Sequence, residues 1–390
     1  MTTDNHHATA LRRQGELAVL RYVHANPGST RAQMAKALAL GTGSATEITT
    51  RLRARKWIDE IEGPKTGHRG RPSPTLVPHP KGPLVCAVEI GHERWRMAIV
   101  ELGAGIVEER SGRHGATDAD SVLAVLRKQI AGASRECVPR LRAISVAVSG
   151  TVQRGRVVQS TLGWSNVGIE ALRIRPGITL LLGNDASLAG VAEARRGAGR
   201  GVGVLLHLTI EVGVGGVLVV DGSPALGSSG AAGEFGHMPF GDRTLRCPCG
   251  ARGCWDLEVD GRAMARHLGQ PPPRDPRSAA ERIVRDALGG NPRARKAVAS
   301  VTAAFGHGTA ALVNALDPDR ITLSGLAREL ATAAPEALDR AYRDGLMSFR
   351  REAPPPFTLS ALGTDGVLLG AAEVAFDEVL SDVRLAGELR

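Results

Sequence analysis

The spacing of apolar residues changes character along the chain, and each change marks a different kind of building block. Between Leu17 and Leu52 they recur at helical intervals: Leu17, Leu20, Tyr22 and Val23, then Met34, Ala35 and Leu38, then Ala45, Ile48 and Leu52. Asn26-Pro27-Gly28 stops the first helix. Thr30 followed by Gln33 has the form of a capping box and opens a short second helix. Ala39 to Gly43 is then a turn, and Ser44 to about Arg55 a third helix. Trp57–Ile61 predicts a short strand, followed by a Gly/Pro-rich loop carrying Lys65, His68, Arg69 and Arg71. Pro72 to Pro83 holds five prolines and predicts a stiff linker.

From Leu84 the period shortens to that of strands. Leu84–Ile90, Trp95–Glu101 and Gly105–Arg110 predict a meander, followed by a helix from Ala119 to about Glu136 and a strand at Leu141–Val148. A similar order recurs in strands Gly203–Ile210 and Gly213–Asp221, helix Val301–Leu316, strand Arg320–Leu323 and a helix near Asp365–Phe376. The repetition predicts two similar α/β lobes with a ligand site in the cleft between them. Gly290–Lys296 and Pro271–Pro276 are expected as surface loops. The expected architecture is a small helical module at residues 1–71, a linker at 72–83 and a two-lobed body at 84–390.

Composition narrows the class. Of 390 residues, 43% are hydrophobic and only 3% aromatic, with 48 glycines, so the core is aliphatic and the fold rich in turns. Disordered, fibrous and disulfide-framework classes are excluded. Ala297 to Leu316 is an uncharged run of 20 residues, but Ser300, Thr302, His307, Thr309 and Asn314 mark it as a buried helix and not a membrane span. The polar opening Met1–His7 lacks a secretory signal, so a soluble cytoplasmic protein with no membrane partner is expected.

Charge is unevenly spread. Residues 1–82 carry a net charge of +7, while the remaining 308 carry +2. A basic module on a nearly neutral body points to double-stranded DNA as partner. The helix pattern agrees: three helices, a strand and a basic loop make a winged helix-turn-helix. Ser44, Thr46, Glu47, Thr49, Thr50, Arg51, Arg53 and Arg55 are expected on the outward face of the recognition helix, with Thr30 and Arg31 also at the DNA. Arg69 and Arg71, within Arg-Gly-Arg-Pro, suit a narrow, electronegative minor groove.

One cluster points to a metal. His237, Cys247, Cys249 and Cys254 form a Cys₃His set suited to tetrahedral, structural Zn²⁺. Cys86 and Cys137 are expected as buried packing residues.

The run Gly230-Ala-Ala-Gly-Glu234-Phe-Gly-His237, followed by Cys247-Pro-Cys249-Gly-Ala-Arg-Gly-Cys254, resembles the signature of the ROK family (repressors, open reading frames, kinases). The resemblance covers about residues 15–380 and implies an actin-like, sugar-kinase/ribonuclease H-like fold. It implies that Asn184, Asp185, Glu234 and His237 bind sugar hydroxyls, with Asp185 at the position of the general base in kinases. His237 would hold zinc through one ring nitrogen and face the sugar with the other. The family's next sugar-binding Glu is Asp256 here, one methylene shorter.

The nucleotide motifs depart from the family. Glu93 stands where kinases of the family carry a phosphate-loop Thr, and Glu211-Val212 replaces Gly-Thr in the second phosphate loop. Ser324-Gly325 replaces a Gly-Gly pair at the adenosine site. A carboxylate about 5 Å from a phosphate, at an effective dielectric near 20, costs roughly 3 kcal/mol. ATP binding and catalysis are therefore not expected. The family members with a winged helix are sugar-responsive transcription factors. The expected function is a repressor, acting as a homodimer or tetramer on a palindromic or pseudo-palindromic operator and released by a sugar bound between the lobes. The alternative is a sugar kinase with an appended DNA-binding domain.

Overall fold

The computed structural model describes residues 2–63, 73–91, 93–115, 118–159 and 162–381, with side chains described from Arg12 onward. The first module contains helices α1 (Thr2–Ala25), α2 (Arg31–Ala37) and α3 (Thr42–Ala54), then strands β1 (Ile58–Ile61) and β2 (Thr75–Pro78). The capping box forms as expected. Thr30 Oγ1 accepts the Gln33 N–H at 3.2 Å, and Gln33 Oε1 accepts the Thr30 N–H at 2.8 Å. Such a cap stabilises a helix by about 1 kcal/mol. Leu17, Leu20, Val23, Met34, Ala45, Ile48 and Leu52 are all buried and make this module's core.

Two expectations here are corrected. The third helix begins at Thr42, inside the expected turn. The expected linker at 72–83 contains β2, which pairs antiparallel with β1 from Ile58↔Pro78 to Ile61↔Thr75. Its other side is bonded as well: Leu76 N–H donates to Ser29 O and Arg31 N–H to Pro74 O. Proline lacks only a donor, so Pro74 beside the strand and Pro78 at its end do not prevent the ladder between them.

The chain divides into two compact units: residues up to Ala147 with Gly168–Leu182 and those from Ala371 on, and Val148–Val167 with Gly183–Gly370. The first contains a five-stranded sheet of β3 (Leu84–Ile90), β4 (Arg94–Glu101), β5 (Ile106–Arg113), β6 (Leu141–Val148) and β10 (Thr179–Asn184), with α4 (Ala119–Ala131). The expected helix to Glu136 ends at Gly132 instead. In the second unit β7 (Thr151–Gln153), β8 (Arg156–Gln159) and β9 (Trp164–Val167) form a small antiparallel sheet. Its main sheet contains β11 (Val204–Ile210), β12 (Val214–Val220), β13 (Ser223–Pro224), β14 (Arg320–Gly325) and β15 (Phe357–Leu359).

The two large sheets share one topology. Numbered within each sheet, the strand order is third-second-first-fourth-fifth in both: β5-β4-β3-β6-β10 and β13-β12-β11-β14-β15. This is the doubling that the recurring sequence pattern predicts. The second unit's helices are α5 (Asp185–Arg196), α6 (Gly261–His267), α7 (Pro276–Leu288), α8 (Pro292–Leu316), α9 (Leu326–Ala333) and α10 (Pro335–Gly345). The last helix, α11 (Gly366–Val379), begins in the second unit and ends in the first.

Residues 292–296, expected in a loop, are the first turn of α8. Asn291 caps it and Pro292 takes the first helical position, where its missing N–H costs nothing. The apolar face of α8 packs against Trp255, whose indole stacks on Phe305 at 5.6 Å and donates to Ala304 O. Among the described residues no helix is long and apolar enough to cross a membrane.

Candidate functional site

His237 ends a single 3-10 turn, Phe235–His237, and the loop that follows returns the three cysteines to it. Backbone bonds pin this loop: Gly241 N–H to Gly253 O, Gly253 N–H to Leu245 O and Cys247 N–H to Ala251 O. The four ligand atoms of His237, Cys247, Cys249 and Cys254 lie within 4.8 Å of one another. Cys249 and Cys254 Sγ are 3.6 Å apart, and Cys247 Sγ is 3.8 Å from His237 Nδ1. Metal–donor bonds of about 2.0–2.3 Å in a tetrahedron set donors roughly 3.5–3.8 Å apart, so the set fits a metal ion. Burial and the neighbouring thiols push Cys254 up to about 12. A cation among the sulfurs would stabilise the thiolates that this crowding disfavours.

The expected sugar ligands fall into two groups. Asn184 caps α5: its Oδ1 accepts the Ser187 N–H at 3.0 Å and its Nδ2 donates to Gly150 O at 3.1 Å. Asp185 follows at the helix N-terminus, accepting the Ala186 N–H at 2.8 Å and the Ser149 hydroxyl at 2.5 Å. Both bonds fix the carboxylate at the first turn of α5. The second group is Glu234, His237 and Asp256. His237 Nε2 lies 3.8 Å from Glu234 Oε2, and Nδ1 lies 3.5 Å from Asp256 Oδ2. The ring thus directs Nδ1 to the cysteines and Nε2 to Glu234.

Asp256 differs from its companions in being largely buried. Its Oδ1 accepts the Val214 N–H at 2.6 Å. Burial raises its carboxyl above the usual range, opposed by that N–H and by His237 and Arg262. The glycine-rich start of β12 joins the two groups. A Cβ on Gly213 would come 2.8 Å from Asp256, and one on Gly215 would come 2.6 Å from the Ala186 Cβ of α5.

The two carboxylates expected to repel a nucleotide both have arginine partners. Glu93 pairs with Arg113 at the exposed edge of β5. Glu211 pairs with Arg277 of α7 at 3.0 Å, and Arg277 also binds Glu329 of α9 at 2.5 Å. Loss of hydration raises the Glu211 carboxyl, with Arg277 opposing and Asp185 and Glu329 adding to the rise. Pairing discounts the bare repulsion. What bears more directly on the expected loss of phosphate binding is that Asp256 already occupies the Val214 N–H, in the loop expected at the family's second phosphate loop.

The expected DNA contacts separate as sharply. Ser44, Glu47 and Thr50 are exposed on α3, and Thr46 is half-buried. Thr49 is corrected: it is 1% exposed, and its hydroxyl donates back to Ala45 O. Its place beside Ile48 turns it to the core. The cations are largely committed within the module. Arg51 and Arg55 both bind the buried Glu16 at 2.7 Å, Arg31 binds Glu60 at 3.0 Å, and Arg53 binds Asp59 at 3.2 Å. Thr30 serves its cap, and Arg69 and Arg71 lie outside the described residues. Sequence reasoning missed Thr42 and Gly43, exposed in the first turn of α3, and Ser149, which holds Asp185. Ser149 sits at the end of β6, 36 residues from Asp185, with no local signal linking them.

A sequence model of the ROK family matches residues 85–378. The chain belongs to the ROK family. It is similar to a glucokinase of Streptomyces coelicolor, 25% identical over a match covering 60% of this chain and 80% of that protein. It is also similar to the DNA-binding transcriptional repressor Mlc of Escherichia coli, 23% identical over 94% of each chain. The crystal structure of a ROK family transcriptional regulator, a homolog of the E. coli Mlc protein, superposes with a TM-score of 0.76 at 22% identity. That match covers 97% of this chain and 99% of the other. These likenesses establish the mixed α/β, actin-like kinase fold of ROK proteins.

Proposed function

We propose that this ROK protein is a sugar-responsive DNA-binding regulator, a repressor released from its operator by a bound sugar. The observation that carries the proposal is the extent of the matches. Similarity to the Mlc repressor covers 94% of the chain, whereas the glucokinase match covers 60%. The basic module of α1–α3 with the β1–β2 ribbon is then a winged helix-turn-helix. Ser44, Thr46, Glu47 and Thr50 read base edges, and Arg69 and Arg71 in the wing enter the minor groove. Arg31, Arg51, Arg53 and Arg55 supply a positive field, and their carboxylate partners fix the helix on the module. A homodimer presents two such helices to an operator with two-fold symmetry.

Asn184, Asp185, Glu234 and His237 bind the sugar through its hydroxyls, and Asp256 acts through His237 and Val214. Zinc is the metal that the Cys₃His set fits, holding His237 by Nδ1 so that Nε2 is directed to the sugar. Anisotropy titration of labelled DNA from upstream of the protein's own gene, at fixed salt, tests the proposal. Sequence-selective binding that one of glucose, xylose or N-acetylglucosamine weakens is expected. Binding that is indifferent to sequence and sugar would refute it.

Asp185 favours a second reading, since it stands at the base position and is held by Ser149 for proton transfer. A sugar kinase with an appended DNA-binding domain would show sugar-dependent ATP consumption in a coupled assay. The commitments of Val214 N–H and Glu211 support the opposite expectation, no turnover.

A further inference from the structure

The proposed DNA and sugar contacts leave one buried polar joint unused. His24, in the last turn of α1, faces Glu373 of α11, with 3.2 Å between Nε2 and Oε1 and side-chain exposures of 8% and 3%. Gly103, in the β4–β5 turn, donates its N–H to His24 Nδ1 at 2.9 Å. That nitrogen is an acceptor, so the ring N–H lies on Nε2, toward Glu373. Phe376 tilts against the imidazole with ring centroids 4.6 Å apart. Arg21 donates to Leu380 O at 3.4 Å. A buried polar pair is a weak source of stability, because apolar residues of similar size commonly hold a fold as well. What it adds is direction: one register of α1 on α11 sets Nδ1 against the Gly103 N–H and Nε2 against the Glu373 carboxylate.

The other end of α11 meets α5. A Cβ on Gly370 would lie 1.8 Å from the Leu188 carbonyl oxygen, so the two helices touch backbone to backbone. α5 is the helix that Asn184 caps and Asp185 opens. One continuous helix therefore touches the helix bearing two proposed sugar ligands at Gly370 and, three to ten residues on, the end of the DNA-reading module at Glu373, Phe376 and Leu380. Close-packed helices transmit displacements of about 1–2 Å without absorbing them.

We infer that α11 is the rod coupling sugar occupancy at Asn184–Asp185 to the DNA-reading module, with His24 and Glu373 as the positioning residues of its far joint. The direction of signalling rests on the sugar-responsive function proposed above. The mechanical link does not.

Two variants of the full chain separate a rod from a merely structural contact. Glu373→Leu keeps the packing volume but removes the acceptor, and Glu373→Gln can still accept the imidazole N–H. Hydrogen exchange without any ligand reads the link itself. In Glu373→Leu, amides of Val19–Asn26, of residues 371–380 and of the first turn of α5 are expected to exchange at least about tenfold faster together, with Glu373→Gln close to wild type. Faster exchange confined to α1 and α11, leaving α5 unchanged, would overturn the rod.

Operator titration then reads the signalling. In the wild type, one of glucose, xylose or N-acetylglucosamine changes the affinity for DNA from upstream of the gene by about 5–150-fold. In Glu373→Leu that change is expected to fall below about threefold, while sugar affinity by calorimetry moves by less than about threefold. A wild-type-sized response in Glu373→Leu would also overturn the inference. A wild type indifferent to every sugar would instead refute the proposed function, and the exchange result alone would decide the rod.

Discussion

The first hairpins of the two large sheets occupy the same place in the same topology, yet treat an acidic residue differently. In the β3–β4 turn, Glu93 reaches Arg113 across an exposed edge, with side chains 71% and 63% exposed. After β11, Glu211 meets an arginine that is itself enclosed by carboxylates of α7 and α9, and the neighbouring Val214 N–H is taken by Asp256. Topology was doubled, but the surroundings were not. An acid in a ligand-binding loop therefore says little by its charge alone. Its partners decide whether it is a solvated ornament or part of a fixed network.

The largest asymmetry between the units is the Cys₃His loop, which among the described residues is found in the second alone. Chelation, or Cys254→Ser, is expected to destabilise that unit by several kcal/mol, since structural zinc binding is coupled to folding. Hydrogen exchange should then show residues 183–370 opening while β3–β6 remain protected. Unchanged protection after verified metal removal would dissociate the loop from the unit's stability. Metal analysis should find one zinc per chain.

Next in size is the contrast between the two hairpin arginines. Arg277→Ala strands Glu211, Glu281 and Glu329 together and should cost about 1–3 kcal/mol in urea unfolding. Arg113→Ala breaks an exposed pair and should stay within about 0.5 kcal/mol. Equal costs would erase the distinction between ornament and network.

What could be read from sequence follows the same division between local and distant partners. The Thr30 capping box, the bounds of β3 and β6, and the Cys-x-Cys loop depend on residues a few positions apart, and all appear as expected. β2 escaped because its ladder is set by β1, across a loop rich in Gly and Pro. Thr49 escaped because helical phase alone leaves a boundary residue undecided between core and groove. The arginine partners were invisible for a stronger reason: Glu16 lies 35 and 39 residues from Arg51 and Arg55. The expected sugar ligands came from the family resemblance, and what that could not supply was the inward turn of Asp256 onto the Val214 N–H.

The smallest effect is a pH dependence carried by Glu211. Its carboxyl is raised by lost hydration, with Arg277 opposing and the nearby Asp185 and Glu329 carboxylates adding to the rise. Between the ordinary glutamate value and the raised one, the folded chain holds a proton that the unfolded chain has released. This group's contribution to stability is therefore present in mild acid and is lost as pH rises through the raised value. Glu211→Gln should remove that component, so the difference in urea midpoint between variant and wild type should shift in the variant's favour as pH rises above the ordinary glutamate value. The same comparison with Glu93→Gln, across the exposed edge of the other sheet, supplies the control. A shift of opposite sign at Glu211 would mean that Arg277, and not lost hydration, governs the proton at this hairpin.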